Sequence, residues 1–125
     1  MGTEFEAVFR ALRGVLARHA KVLAVRTDNE TTYTLVGVRA SPFPQHKGQP
    51  MWFGEVRLGK AYVSYHLMPL YMNPWLEKKI PAELKQRMQG KTCFNFNTVP
   101  EPALLEQLDA LTMSAIADWA AKFWL

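Results

Sequence analysis

Met51-Trp52-Phe53-Gly54-Glu55-Val56-Arg57-Leu58, then Gly59-Lys60, then Ala61-Tyr62-Val63-Ser64-Tyr65-His66-Leu67, sets two runs of β-branched and aromatic residues around a glycine. Such runs read as a β-hairpin with Gly59 at the turn. Alternation couples the faces of its strands. If Trp52, Val56 and Leu58 face a helical layer, then Phe53, Glu55 and Arg57 take the other side; if Ala61, Val63, Tyr65 and Leu67 point inward, Tyr62, Ser64 and His66 do not.

A second hairpin lies upstream. Residues 21–26 and 31–38 are rich in Val, Leu, Thr and Tyr, and Asp28-Asn29 between them supplies turn chemistry. The two hairpins are joined by residues 39–50, which hold three prolines, Gly48, His46 and Lys47 without periodicity and so read as a long polar loop. Ahead of the first strand, Thr3-Glu4-Phe5-Glu6 fits a capping box, and Phe5, Phe9, Leu12 and Leu16 recur at helical spacing, predicting a helix over 4–19.

Downstream of the deciding hairpin, Pro69 ends the strand. Asn73-Pro74 offers an N-cap and a first-turn proline for a short turn through Trp75, Leu76 and Glu77. Pro81 starts a further helix whose Ile80, Leu84 and Met88 share a face, with Gly90 as its left-handed stop. Thr92, Phe94 and Phe96 then alternate with Cys93, Asn95 and Asn97 in a short strand. Pro100-Glu101-Pro102 opens the longest helix, with Leu104, Leu108, Leu111, Ala115 and Trp119 as its buried stripe. The order is helix, four strands, helices, one strand, helix. It predicts a two-layer α+β sandwich, a mainly antiparallel sheet of about five strands covered on one face by the N- and C-terminal helices.

Composition agrees with one folded domain over residues 1–125. The chain is 49% hydrophobic and 12% aromatic, which excludes disorder and leaves no place for a linker or a second core. Fifteen Lys and Arg against eleven Asp and Glu give a net charge of +4, spread along the chain rather than clustered, which argues against a nucleic-acid partner. No apolar run approaches the roughly 18 residues of a membrane span, and no signal-like segment opens the chain. One cysteine, Cys93, excludes an internal disulfide. The expectation is a soluble cytoplasmic protein. Four tryptophans, Trp52, Trp75, Trp119 and Trp124, in so small a domain also raise the expectation of a homodimer.

Two segments carry a family resemblance. Tyr62-Val63-Ser64-Tyr65-His66-Leu67-Met68-Pro69-Leu70-Tyr71 is one; the other is Ile80-Pro81-Ala82-Glu83-Leu84-Lys85-Gln86-Arg87-Met88-Gln89-Gly90-Lys91-Thr92-Cys93-Phe94-Asn95-Phe96. Together with the Leu104-Leu105-Glu106-Gln107-Leu108 helix they resemble the YdhG-like family of uncharacterised bacterial domains, over about the last three fifths of the chain. The resemblance implies a small α+β domain related in shape to frataxin. Some members of that family have been described as iron chaperones, a role that rests on a ridge of carboxylates, because iron there wants hard oxygen ligands. This chain departs from that pattern: Glu4 and Glu6 are followed on the first helix by Arg10, Arg13 and Arg18, and Glu106 with Asp109 forms the only pair of note on the last. No metal site and no cofactor are expected.

The resembling segments gather His66, Arg87, Lys91, Cys93 and Asn95, with Tyr62 and Tyr71 as aromatic walls, and these are the candidate ligand-binding residues. Arginine forks match carboxylate or phosphate, amides fix orientation, and aromatic rings supply contact area. The expectation is a non-enzymatic module that binds a small anionic or polar ligand, or a protein. Two alternatives stand beside it: frataxin-like iron handling, as the resemblance implies, and an enzyme using His66 as acid or base with Cys93 or Tyr71 assisting, which lacks paired carboxylates, a nucleophile elbow or a phosphate-cradling loop. A Cys93-His66-Asn nucleophile would need a depressed thiol pKa, and nothing in the sequence supplies one.

Overall fold

The computed structural model describes residues 3–125, Thr3 by its backbone alone, so the Thr3 side chain of the capping box lies outside the described residues. Helix α1 spans Thr3–Ala17. It buries Val8, Phe9, Leu12, Val15 and Leu16; of the stripe that the helical spacing predicts, Phe9, Leu12 and Leu16 are buried and Phe5 is partly buried. A tight helical turn over Ala20–Val22 follows, in which Leu23 N–H donates to the Ala20 carbonyl at 3.3 Å and the buried Leu23 side chain anchors the corner. The first strand, β1 (Ala24–Asp28), therefore begins three residues later than the β-rich composition of 21–26 predicts.

Strands β2 (Thr32–Ala40), β3 (Pro50–Leu58) and β4 (Val63–Leu67) follow. The turn between β3 and β4 is wider than Gly59-Lys60 alone. Gly59 N–H donates to the Tyr62 carbonyl at 3.0 Å, so Ala61 and Tyr62 belong to the turn rather than to the strand. Helix α2 (Pro69–Met72) and a second tight helical segment (Pro74–Lys79) come next, the latter capped as expected by Asn73, whose side chain accepts from Trp75 N–H at 3.0 Å.

The stretch after Pro81 is corrected by the structure. Helix α3 is a single turn, Ala82–Lys85, and Met88–Gln89 forms strand β5 on the edge of the sheet beside β6 (Cys93–Phe96). The switch happens at Arg87, whose N–H still bonds back to the Leu84 carbonyl while its own carbonyl accepts Asn95 N–H, both at 2.9 Å. Gly90 is left-handed, at φ 78°, but it turns the β5–β6 hairpin rather than capping a helix. The sheet thus has six strands in the order β1-β2-β3-β4-β6-β5, every neighbouring pair antiparallel, where about five were expected.

A β-bulge decides which residues face which layer. Leu35 pairs with Gly54 and Val36 with Trp52, so Phe53 is an extra residue on β3. Met51 and Phe53 point into the core on one side of the bulge, and Val56 on the other, whereas Trp52 is turned onto the opposite face with Glu55 and Arg57. Simple alternation, which groups Trp52 with Val56 and Leu58, fails at this point for that reason.

Helix α4 (Pro102–Ala121) starts with Pro102 in its first turn and closes the second layer. It buries Leu108, Leu111, Thr112, Ala115 and Trp119. Trp119 meets Phe53 edge-on with 5.2 Å between ring centroids, and each such fully buried aromatic contributes about 1.5–3 kcal/mol. His19 Nε2 lies 2.7 Å from Asp109 Oδ1 and ties the end of α1 to α4. Both helices pack on one face of the sheet, giving the expected two-layer α+β sandwich. Among the described residues no helix is long and apolar enough to cross a membrane.

Candidate functional site

The face of the sheet away from the helices carries the chemistry. Strand register sets Thr34, Glu55, His66 and Cys93 in one row across β2, β3, β4 and β6, and Thr32, Arg57, Ser64 and Asn95 in the next. Polar side chains collect there because a strand buried on one side only must alternate. Where the rows reach the β3–β4 turn, Arg57, Lys60, Tyr62, Ser64, His66 and Cys93 surround a shallow cleft of about 420 Å³.

His66 forms part of the floor. Its Nδ1 is 3.3 Å from Thr92 Oγ1, and the Trp52 ring covers its other flank. Burial pushes its pKa below the ordinary histidine value; the Glu55 carboxylate pulls the other way and the Arg57 guanidinium adds to the lowering. The ring is therefore neutral at pH 7. Cys93 is half-buried, and burial raises its thiol pKa, with the Ser64 hydroxyl working against that rise. The thiol donates to Asn95 Oδ1 at 3.1 Å, and the Asn95 amide donates in turn to Gln89 Oε1. A protonated thiol aimed at an amide, beside an imidazole engaged with Thr92, is a poor nucleophile pair. The cleft's charge comes from Arg57 and Lys60 alone, and neither takes part in an ion pair among the described residues. Glu55, the nearest carboxylate on this face, accepts from Thr34 Oγ1 at 2.7 Å.

The seven candidate residues do not form one site. His66, Cys93 and Tyr62 line the open-face cleft, and Asn95 stands behind Cys93 with both ends of its amide engaged. Arg87 is elsewhere: it lies over the Phe96 ring and lines a cleft shared with Glu83 and Glu101, where an anion would meet two carboxylates. Lys91 sits exposed in the β5–β6 turn. Tyr71, on α2, borders a third, apolar cleft with Trp52 and Met68. The helix expected after Pro81 gives way to β5 just past Arg87, and Arg87 lies against Phe96 in the separate cleft of Glu83 and Glu101.

Arg57 and Lys60 were legible only as ordinary charges of a hairpin. What marks them is their place at the end of the strand row that His66 and Ser64 share. Of the four tryptophans, Trp119 is buried, Trp52 and Trp124 are partly covered, and Trp75 alone stands mostly in water under Lys78 Nζ. Most of the aromatic surplus that motivates a homodimer is thus taken up by the fold. Among the described residues no group of three or more His, Cys, Asp or Glu comes together as a metal site. No family model, no curated protein and no solved structure matches this chain.

Proposed function

We propose that this chain is a YdhG-like, non-enzymatic module of the cytoplasm that binds a small anion, a carboxylate or phosphate, in the cleft on its open sheet face. The observation that carries the reading is the pairing of Arg57 and Lys60, cations without a carboxylate partner, over a floor of neutral hydrogen-bonding groups. An arginine fork suits a planar or tetrahedral oxyanion, the lysine adds charge, and the Ser64 hydroxyl can donate to the bound oxygen. A protonated Cys93 whose thiol is turned to Asn95 is a poor nucleophile, which favours recognition over nucleophilic chemistry.

Titration of the ¹⁵N-labelled chain with inorganic phosphate and with citrate tests it. Saturable amide shifts centred on Arg57, Ser64, His66 and Cys93 are expected, weakened about tenfold or more when Arg57→Ala and Lys60→Ala are combined. Shifts spread over the surface lysines, or binding indifferent to both substitutions, would overturn the reading.

A further inference from the structure

The apolar cleft beside α2 lies apart from the proposed anion site and uses different residues. It measures about 440 Å³ and is walled by Phe43, Met51, Trp52, Met68, Tyr71 and Met72. That volume falls in the range of small-molecule sites, about 300–1,000 Å³. Its outer wall is the 41–49 loop, which is tied to itself and to the core. Ser41 Oγ is 2.6 Å from His46 Nδ1, Phe43 N–H donates to Ser41 Oγ at 3.1 Å, and the Phe43 ring meets Trp124 edge-on with 5.4 Å between centroids. The wall therefore stands without a ligand to hold it up.

We infer that this cleft binds a neutral, mainly apolar small molecule with one polar end. Charge is the first reason. A chain of fifteen cationic and eleven anionic residues places no Lys, Arg, Asp or Glu on this lining, so a charged occupant would lose its hydration with no counter-charge in return. Polarity is the second. Apart from the Trp52 indole N–H and the Tyr71 hydroxyl, the polar side-chain groups of the cleft belong to Gln45, His46 and Gln49 of the loop or its end, so hydrogen bonds are offered mainly along one edge and apolar contact along the rest. Because His46 Nδ1 faces Ser41, its Nε2 is the ring atom left to bond a ligand. Shape is the third. The polarizable side chains of Met51, Met68 and Met72 adapt to an irregular body, and the rings of Phe43, Trp52 and Tyr71 give flat contact area.

The neutral fluorophore N-phenyl-1-naphthylamine is the probe, read by its emission and by the ε-methyl NMR signals of ¹³C-methionine-labelled protein. One probe per chain is expected, with shifts at Met51, Met68 and Met72, none at Met88 or Met113, and about tenfold or greater loss of affinity in Met72→Asp. The methyl pattern locates the site in the unaltered chain, so the test stands even if that variant folds poorly. Arg57→Ala should leave probe binding unchanged, which separates this site from the anion cleft. Absence of saturable binding, shifts confined to other methionines, or a doubling of sedimenting mass on probe addition would each overturn the inference, the last by making a second copy the occupant.

Discussion

The indole of Trp52 meets the imidazole of His66 edge-on, with 5.7 Å between ring centroids, on the sheet face that the helices leave open. This contact divides the two clefts. Trp52 belongs to the apolar one and His66 to the polar one, and the indole screens the imidazole from water. It exists because the bulge at Phe53 turns Trp52 out of the core and onto the open face of the sheet, on the side of His66.

A pH dependence follows from that screening. The unfolded chain protonates His66 near the ordinary value of 6.5, whereas the folded chain resists protonation to a lower pH. Between those values the unfolded state binds more protons, so this contribution to stability is full above 6.5 and is lost as pH falls through the folded value. Glu55 and Arg57 face the ring with opposite effects, and burial outweighs them. Trp52→Ala should therefore move the His66 titration, followed by imidazole NMR shifts, upward toward 6.5, and should shrink the acid-side loss in urea midpoints between pH 7.5 and 5. A titration unmoved by Trp52→Ala would assign the lowering to the strand ladder instead.

The buried hydroxyls of Tyr65 and Thr112 tie the sheet to α4. Thr112 Oγ1 donates to the Leu108 carbonyl at 2.7 Å, so the Tyr65 hydroxyl is the donor across its own 2.7 Å contact with Thr112. Burial raises the Tyr65 pKa far above the ordinary tyrosine value, so it keeps its proton throughout the neutral range. Thr112→Val leaves that O–H without an acceptor and should cost about 1–3 kcal/mol, while Tyr65→Phe should cost about 1 kcal/mol. In urea unfolding the double variant should lose less than the sum of the singles, with a coupling of about 0.5–2 kcal/mol. Strict additivity would show that the two hydroxyls act independently.

Gly54 is the second consequence of the bulge. A Cβ at this position would lie 2.9 Å from the His66 carbonyl oxygen and 3.5 Å from Leu16 Cδ1, between β4 and α1. The oxygen belongs to a backbone fixed in the ladder, so relief requires β3 and β4 to part. Gly54→Ala should cost about 1–3 kcal/mol and should also disturb His66, seen as a displaced imidazole resonance. Gly14, whose Cβ would meet nothing within 4 Å on α1, is the control, and Gly14→Ala should stabilise by about 0.5–1 kcal/mol.

Periodicity made the layers legible and left the site obscure. The α1 and α4 stripes, the β3–β4 hairpin and the Asn73 cap follow from spacing that local physics enforces. Trp52 does not, because alternation carries no account of an inserted residue; the lone glycine at 54 inside a strand was the available sign of a bulge. Arg87 and Met88 misled for another reason: four-residue spacing from Ile80 suits a helix, but pairing with Asn95 and Phe94 in the sheet prevails over so short a segment. The cluster of Arg57, Lys60, Ser64 and His66 depends on cross-strand register, which joins residues from both arms of a hairpin through a turn two residues longer than its sequence suggests.

The end of α4 offers a stabilising substitution. Phe123 N–H donates to the Ala120 carbonyl at 3.0 Å and Trp124 N–H to the Trp119 carbonyl at 2.9 Å, the paired bonds of a Schellman closure. Such a closure needs a left-handed residue after the cap, and here it is Phe123, at φ 61°. A phenylalanine in that region stores about 1 kcal/mol or more, and its ring is 80% exposed, so little burial compensates. Phe123→Gly removes the strain, and the extra freedom of glycine in the unfolded chain takes back about 0.4–1 kcal/mol. A net gain of about 0.5 kcal/mol is expected, a rise of roughly 1–3 °C in Tm. Phe123→Ala keeps the Cβ that causes the strain and should leave Tm unchanged. Equal losses in both variants would mean that the Phe123 ring, rather than its backbone, sets the energy of this turn.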